Sequence, residues 1–202
     1  MISSQNFKNY ILSHFDMDFA GIADSSLLES EPKEHRPSDY LPTAKAIVVF
    51  GRRMIDGAVQ STFRVYEDRH IPSQTSYADH ANYLAVNMLL LQEIYNLAQY
   101  IERSCGANAV PLPNNALQDI EPNGLRVPFF ADPYQAGMPI DLAKAAVAAG
   151  LGEIGWSHRF MTPEDGPRVH LCAILTDMEF DEYDAPYAGP KLCDPAKCRV
   201  CT

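Results

Sequence analysis

Five apolar residues in a row, Ala46-Ile-Val-Val-Phe50, are followed at once by Gly51. A run of that kind, without polar alternation, reads as a strand buried on both faces, so the chain must cover a sheet from each side. Candidate partners surround it. Phe7, Tyr10, Ile11 and Phe15 recur at helical spacing and predict an N-terminal helix capped by Ser3 or Ser4. Phe19 to Ile22 reads as a short strand. The strongest helix is expected from about Ala78 to Arg103, with Leu84, Met88, Leu91, Ile94, Tyr95, Ala98 and Ile101 as its apolar stripe and Gly106 as its stop. Asn108 to Leu112 is a further strand, and Ile140 to Ala149 a small-residue helix. Arg168 to Asp177 alternates Val169, Leu171, Ala173 and Leu175 against His170, Cys172, Ile174 and Thr176, the mark of another strand. The fold class is therefore α/β in the broad sense that includes α+β.

Three stretches read as loops. Glu29 to Pro42 is charged and carries Pro32, Pro37 and Pro42; a second follows Gly51 and holds Arg52, Arg53 and Arg64. The third, Pro111 to Pro139, contains six prolines and the aromatics Phe129, Phe130 and Tyr134. A structureless stretch of that length is usually functional, and aromatic loops wall flat cofactors or substrates. The alternative is a loop that tucks its aromatics into the core.

At 202 residues, one domain is the default. The N-terminus MISSQNFKNYILSHF has no cationic segment ahead of an apolar run, and no apolar stretch nears the roughly 18 residues of a spanning helix. A cytoplasmic protein without membrane contact is the expectation, and disulfides are disfavoured. With 26 acidic and 16 basic residues the net charge is −10, which repels phosphate backbones. Transfer RNA is therefore not expected as a partner. The late acids Glu179, Asp181, Glu182 and Asp184 read as a solvated linker surface.

The chain closes on Cys193-x4-Cys198-x2-Cys201-Thr202. Thiolates so spaced can converge on one iron–sulfur cluster, and a four-cysteine cluster needs one more ligand. Cys105 and Cys172 fall in segments that read as ordered core. A zinc knuckle, with His170 as its nearest extra ligand, and no metal at all are the alternatives. The same spacing occurs in plant-type ferredoxins, although there it sits inside a small domain. Since no further cysteine follows, the chain reads as the front part of a redox protein, either a piece of a longer one or one whose clusters are degenerate.

Gly150-Leu-Gly152-Glu-Ile-Gly155 matches a dinucleotide fingerprint as a string, but it follows a helix where that fingerprint must follow a strand. It suggests either backbone folded beneath a flat ligand or a glycine cap and turn. In order and spacing, Ala149-Gly-Leu-Gly-Glu-Ile-Gly155, Met161-Thr-Pro-Glu-Asp-Gly-Pro-Arg-Val169, Leu171-Cys-Ala-Ile-Leu-Thr-Asp177 and the cysteines resemble the corrinoid-dependent iron–sulfur family of epoxyqueuosine reductases and reductive dehalogenases. Tyr40-Leu-Pro42, Ile47 to Gly51 and Ala109-Val-Pro-Leu-Pro113 are similar too, though less specifically.

That resemblance implies a nitroreductase-like, cobalamin-binding domain over residues 1–185, then a linker and the start of a ferredoxin-like segment over 186–202. Gly150, Leu151, Gly152, Gly155, Thr162, Gly166, Arg168 and Val169 would line the corrinoid. Cys193, Cys198 and Cys201 would ligate a 4Fe–4S cluster that feeds electrons to cobalt. The implied function is a cobalamin-dependent oxidoreductase of anaerobic metabolism acting on a small molecule. An electron donor such as ferredoxin or flavodoxin, and a second copy in a homodimer, complete the partners. The family's usual further cysteines are missing. Its reductases carry an acid where this chain has Ala136, with Asp132 and Asp141 out of register. Tyr134, or Tyr77, beside an arginine would serve as proton donor, and Tyr134 is the candidate catalytic residue. A non-catalytic corrinoid-binding or electron-transfer module, a flavin-binding nitroreductase-like protein and a zinc-stabilised domain remain as alternatives.

Overall fold

The computed structural model describes residues 2–67, 80–113 and 140–198. Strands β1 (Phe19–Asp24), β2 (Ala46–Arg53), β3 (Ala109–Leu112) and β6 (Val169–Thr176) form a sheet of order β1-β2-β6-β3, antiparallel at every pairing. Strands β4 (Glu153–Ile154) and β5 (Phe160–Met161) make a separate hairpin. The helices are α1 (Ser4–His14), α2 (Pro37–Tyr40), α3 (Asp56–Glu67), α4 (Val86–Tyr100) and α5 (Leu142–Ala148). Antiparallel pairing places the chain on the α+β side of the expected class.

Strand β2 is the spine, bonded to β1 on one side and β6 on the other, and Ala46 to Gly51 are buried. Its alternate residues feed two cores. Val48 and Phe50, with Cys172 and Ile174 of β6, pack on Phe7 and Ile11 of α1 and on Leu90, Ile94 and Leu97 of α4. Ile47 and Val49, with Ala173 and Leu175, pack on Ala145, Ala146 and Ala148 of α5. The two faces read from the β6 alternation are thus the two cores. Each fully buried Ile, Leu or Phe contributes about 1.5–3 kcal/mol. Ser3 caps α1, its hydroxyl accepting the Asn6 N–H at 3.4 Å. Among the described residues β3 pairs with β6 alone, so Pro111 sits on an edge of the described sheet, where its missing N–H is tolerated.

The long helix keeps its place, and its buried face shares Ile94, Ala98 and Ile101 with the expected stripe but is rotated away from the rest of it. Leu84, Met88 and Tyr95 are exposed, whereas Val86, Leu90, Ile94, Leu97 and Ile101 form the buried seam. Both seams are apolar, so periodicity alone could not choose between them, and π-helical turns at His80–Ala85 and Ile101–Cys105 flank the α-helical part. Gly106, at φ 68°, ends it as expected. Within the expected loop Glu29 to Pro42, Pro37–Tyr40 makes one helical turn with proline at its start, where no N–H is needed. Arg52 and Arg53 finish β2, and α3 stands where a loop was expected.

The acidic tail is not a solvated linker. The Asp181 carboxylate accepts the Ser4 N–H at 2.8 Å. Asp184 accepts the Ile22 N–H at 2.8 Å and pairs with Lys8 at 2.6 Å. Backbone groups whose partners would otherwise be water recruit these acids, which lash the tail to α1 and β1.

Candidate metal centre

Helix α5 begins at Asp141, whose carboxylate accepts the N–H groups of Ala143 (2.9 Å) and Lys144 (3.2 Å). It ends in a Schellman motif. Leu151 N–H bonds Ala146 O at 3.0 Å, Gly150 N–H bonds Val147 O at 3.1 Å, and Gly150 takes φ 74°. A Cβ on Gly150 would lie 2.7 Å from Ala185 O, and one on Gly152 would lie 1.9 Å from Met161 O. The chain's own backbone fills both gaps. A bulky residue at Gly152 would therefore break the hairpin. Leu151 packs into the α5 core.

Thr162 is buried, and its hydroxyl accepts the Asp165 N–H at 3.1 Å. Thr162 and Gly166 exchange both backbone hydrogen bonds at 3.0 Å and close a turn. Gly166, at φ 59°, has open space where a Cβ would stand. The Arg168 guanidinium pairs with Asp56 at 3.3 Å at the start of α3, and half-buried Val169 opens β6. The eight residues assigned to a corrinoid therefore form one hairpin and turn between α5 and β6. Gly150 and Gly152 offer no cradle there; Gly166 presents an open backbone face.

Cys193 meets this hairpin at its far end. Gly155 follows β4, and a Cβ on it would press on Met161 Sδ (2.9 Å) and stand in contact with Cys193 Cβ (3.4 Å) and Cys193 Sγ (3.5 Å). Cys193 Sγ accepts the backbone N–H of Trp156 at 3.3 Å. Glu153, opening β4, accepts through Oε1 the backbone N–H groups of both Leu192 (2.7 Å) and Cys193 (2.6 Å). Asp194 then starts a helical turn, its carbonyl accepting from Lys197 N (3.1 Å) and Cys198 N (2.9 Å). Cys193 is half-buried, Cys198 exposed, and both are free thiols. No local motif in the sequence signals Glu153, because its partners stand 39 and 40 residues away.

The remaining cysteines behave as core. Burial pushes the Cys172 thiol well above its ordinary range, and its Sγ lies 3.7 Å from Phe50 O. Burial also raises Cys105, partly offset by a hydrogen bond with Tyr100. Among the described residues no group of three or more His, Cys, Asp or Glu gathers to hold a metal, so His170 does not complete a site with Cys193 and Cys198. Cys201, Tyr134, Tyr77, Phe129, Phe130 and Ala136 lie outside the described residues.

No family model and no curated protein matches the chain. Solved structures do. One epoxyqueuosine reductase, bound to an epoxyqueuosine-modified tRNA-Tyr stem loop, aligns over 98% of this chain and 51% of its own at 18% identity and TM-score 0.58. The enzyme from Streptococcus thermophilus aligns over 98% and 50% at 16% identity and TM-score 0.59. A reductive dehalogenase, described as B12-dependent, aligns over 85% and 20% at 19% identity and TM-score 0.53. The chain shares their fold. It spans about half the length of these epoxyqueuosine reductases and a fifth of the dehalogenase. Among its described residues no helix is long and apolar enough to cross a membrane.

One expectation is overturned. Transfer RNA was excluded on net charge, yet a protein of this fold holds a transfer-RNA stem loop. Net charge sums a whole surface, whereas phosphates are met by local patches. The −10 of this chain also counts a length equal to only 51% of that protein.

Proposed function

We propose that the chain belongs to an iron–sulfur oxidoreductase of the epoxyqueuosine reductase and reductive dehalogenase kind, with Cys193, Cys198 and Cys201 as cluster ligands. The observation that carries this reading is Cys193, whose sulfur takes the Trp156 N–H and packs beside Gly155. Sulfur ligands that accept backbone N–H bonds are what a cluster needs, because those bonds offset the charge added on reduction. Free thiols on a strap and its next turn suit the donor set. The cluster would supply one-electron transfer. The protein's own part is to hold the thiolates, to aim the Trp156 N–H and to keep the strap on the hairpin.

The corrinoid reading, and with it the nitroreductase-like description of the sheet, rests on the shared fold. The glycine gaps filled by Ala185 O and Met161 O do not add to it, so no step is assigned to a corrinoid. The substrate class is open. A modified transfer-RNA stem loop and a brominated hydroxybenzoate, ligands of proteins with this fold, are the two to assay.

Anaerobic reconstitution with iron and sulfide tests the ligand assignment. In a chain extended past Thr202 to supply a fourth ligand, about four irons per cluster and a brown thiolate-to-iron absorption are expected. Cys198→Ser should abolish both, and Cys105→Ser and Cys172→Ala should leave both. Equal loss from all the substitutions would overturn the assignment.

A further inference from the structure

We infer that Glu153 is a positioning residue for the Cys193 thiolate. This rests on the ligand reading above. Three contacts converge on the strap from one short hairpin. Glu153 Oε1 takes the Leu192 and Cys193 N–H groups at 2.7 and 2.6 Å, Trp156 N–H meets Cys193 Sγ at 3.3 Å, and Gly155 packs beside the sulfur. A carboxylate oxygen that accepts two backbone N–H groups is a charge-assisted clamp, stronger than a neutral pair. The clamp is close to the ligand in a specific sense, for the second N–H it holds is that of Cys193 itself. It fixes the residue's backbone, and hence the direction of its Cα–Cβ bond toward Trp156.

Among the described residues no other side chain bonds the backbone of Leu192 and Cys193. Tyr187 N–H bonds Val147 O at 2.9 Å, but that anchor lies six positions before Cys193. Without Glu153 two backbone donors lose their acceptor, and among the described contacts the Trp156 N–H alone is left to hold residues 188–193 to the hairpin, through the Cys193 sulfur. The effect on metal binding is therefore larger than the effect on the fold, whose cores lie on the sheet.

Cobalt(II) titration of the apo chain tests this, because cobalt–thiolate charge-transfer bands report sulfur ligation directly. Glu153→Ala and Glu153→Asp should weaken cobalt binding about tenfold or more, the scale seen when residues that orient metal ligands are lost. Glu153→Gln keeps an acceptor oxygen at the same reach and should recover most of the affinity. Asp184→Ala, which unties the tail from Ile22 and Lys8 but touches nothing near Cys193, should lower stability and leave the bands intact. Should Glu153→Ala not fold, the Asp and Gln pair carries the comparison. Unchanged cobalt affinity in Glu153→Ala and Glu153→Asp, or equal loss in Asp184→Ala, would overturn the positioning role. Absence of cobalt–thiolate bands in the unsubstituted chain would instead sink the ligand reading on which it stands.

Discussion

The backbone N–H of Trp156 stands 3.3 Å from the sulfur of Cys193, 37 residues further along the chain. Gly155 lies beside this contact: a Cβ there would stand at ordinary contact distance from Cys193 (3.4 Å) and crowd Met161 Sδ (2.9 Å), so the further methyls of a valine find no room unless one of them moves. Gly155→Val should therefore displace the cysteine and lower iron loading severalfold. Met161 is flexible at that contact, so the loss of stability should stay near 1 kcal/mol. Iron content together with urea midpoints checks the pair of outcomes.

Gly152 calls for the opposite result. Its missing Cβ would sit 1.9 Å from the Met161 carbonyl oxygen, a backbone atom paired within the hairpin. Gly152→Ala should cost about 1–3 kcal/mol or more, because backbone has to move. A urea midpoint unchanged from that of the unsubstituted chain would show that the hairpin does not need glycine there.

Thiol accessibility separates the cysteines without any metal. Cys172 is 1% exposed and its thiol is held protonated by burial, whereas Cys198 is exposed. In native apo protein, iodoacetamide should label Cys198 within minutes and leave Cys172 unlabelled until unfolding. Peptide mass mapping reads both. Labelling of Cys172 at the same rate would contradict its place in the sheet.

These contrasts mark what sequence could reach. Local rules were enough for the β2 run, the alternation of β6, the Ser3 cap and the glycine stop at Gly106, because each depends on residues a few positions apart. Tertiary choices were not legible. Apolar residues on both sides of α4 left its inward face to be chosen by packing on the sheet, which selects Leu90 and Leu97 over Met88 and Tyr95. Asp184 and Glu153 look like ordinary surface acids in the sequence. Their roles come from backbone N–H groups brought to them by the fold from 162 and from 39 and 40 residues away.

Asp184 gives a stability test. Its two oxygens serve the Lys8 ammonium at 2.6 Å and the Ile22 N–H at 2.8 Å, and both side chains of the ion pair are largely sheltered. Asp184→Ala leaves a cation and a strand N–H without their acceptor and should cost about 2 kcal/mol. Asp184→Asn keeps an acceptor for one of the two and should cost less. Equal stability of the Ala variant and the unsubstituted chain would mean that water replaces the carboxylate at no cost.

His170 makes stability depend on pH in a direction that can be worked out. Burial lowers its pKa below the ordinary 6.5, partly opposed by a hydrogen bond with the Asn82 backbone, and its Nε2 is buried without a partner among the described residues. The cross-strand neighbour in register is Arg52, a cation. The unfolded chain therefore takes up a proton at a pH where the folded one still refuses it. Stability from this group is fully present above about pH 6.5 and is lost as pH falls through the lower, folded value. His170→Gln should flatten that part of the curve while leaving the loss from the carboxylates at lower pH. Urea midpoints of both proteins between pH 7.5 and about 5 decide it, and parallel curves over that window would show that His170 titrates alike in both states.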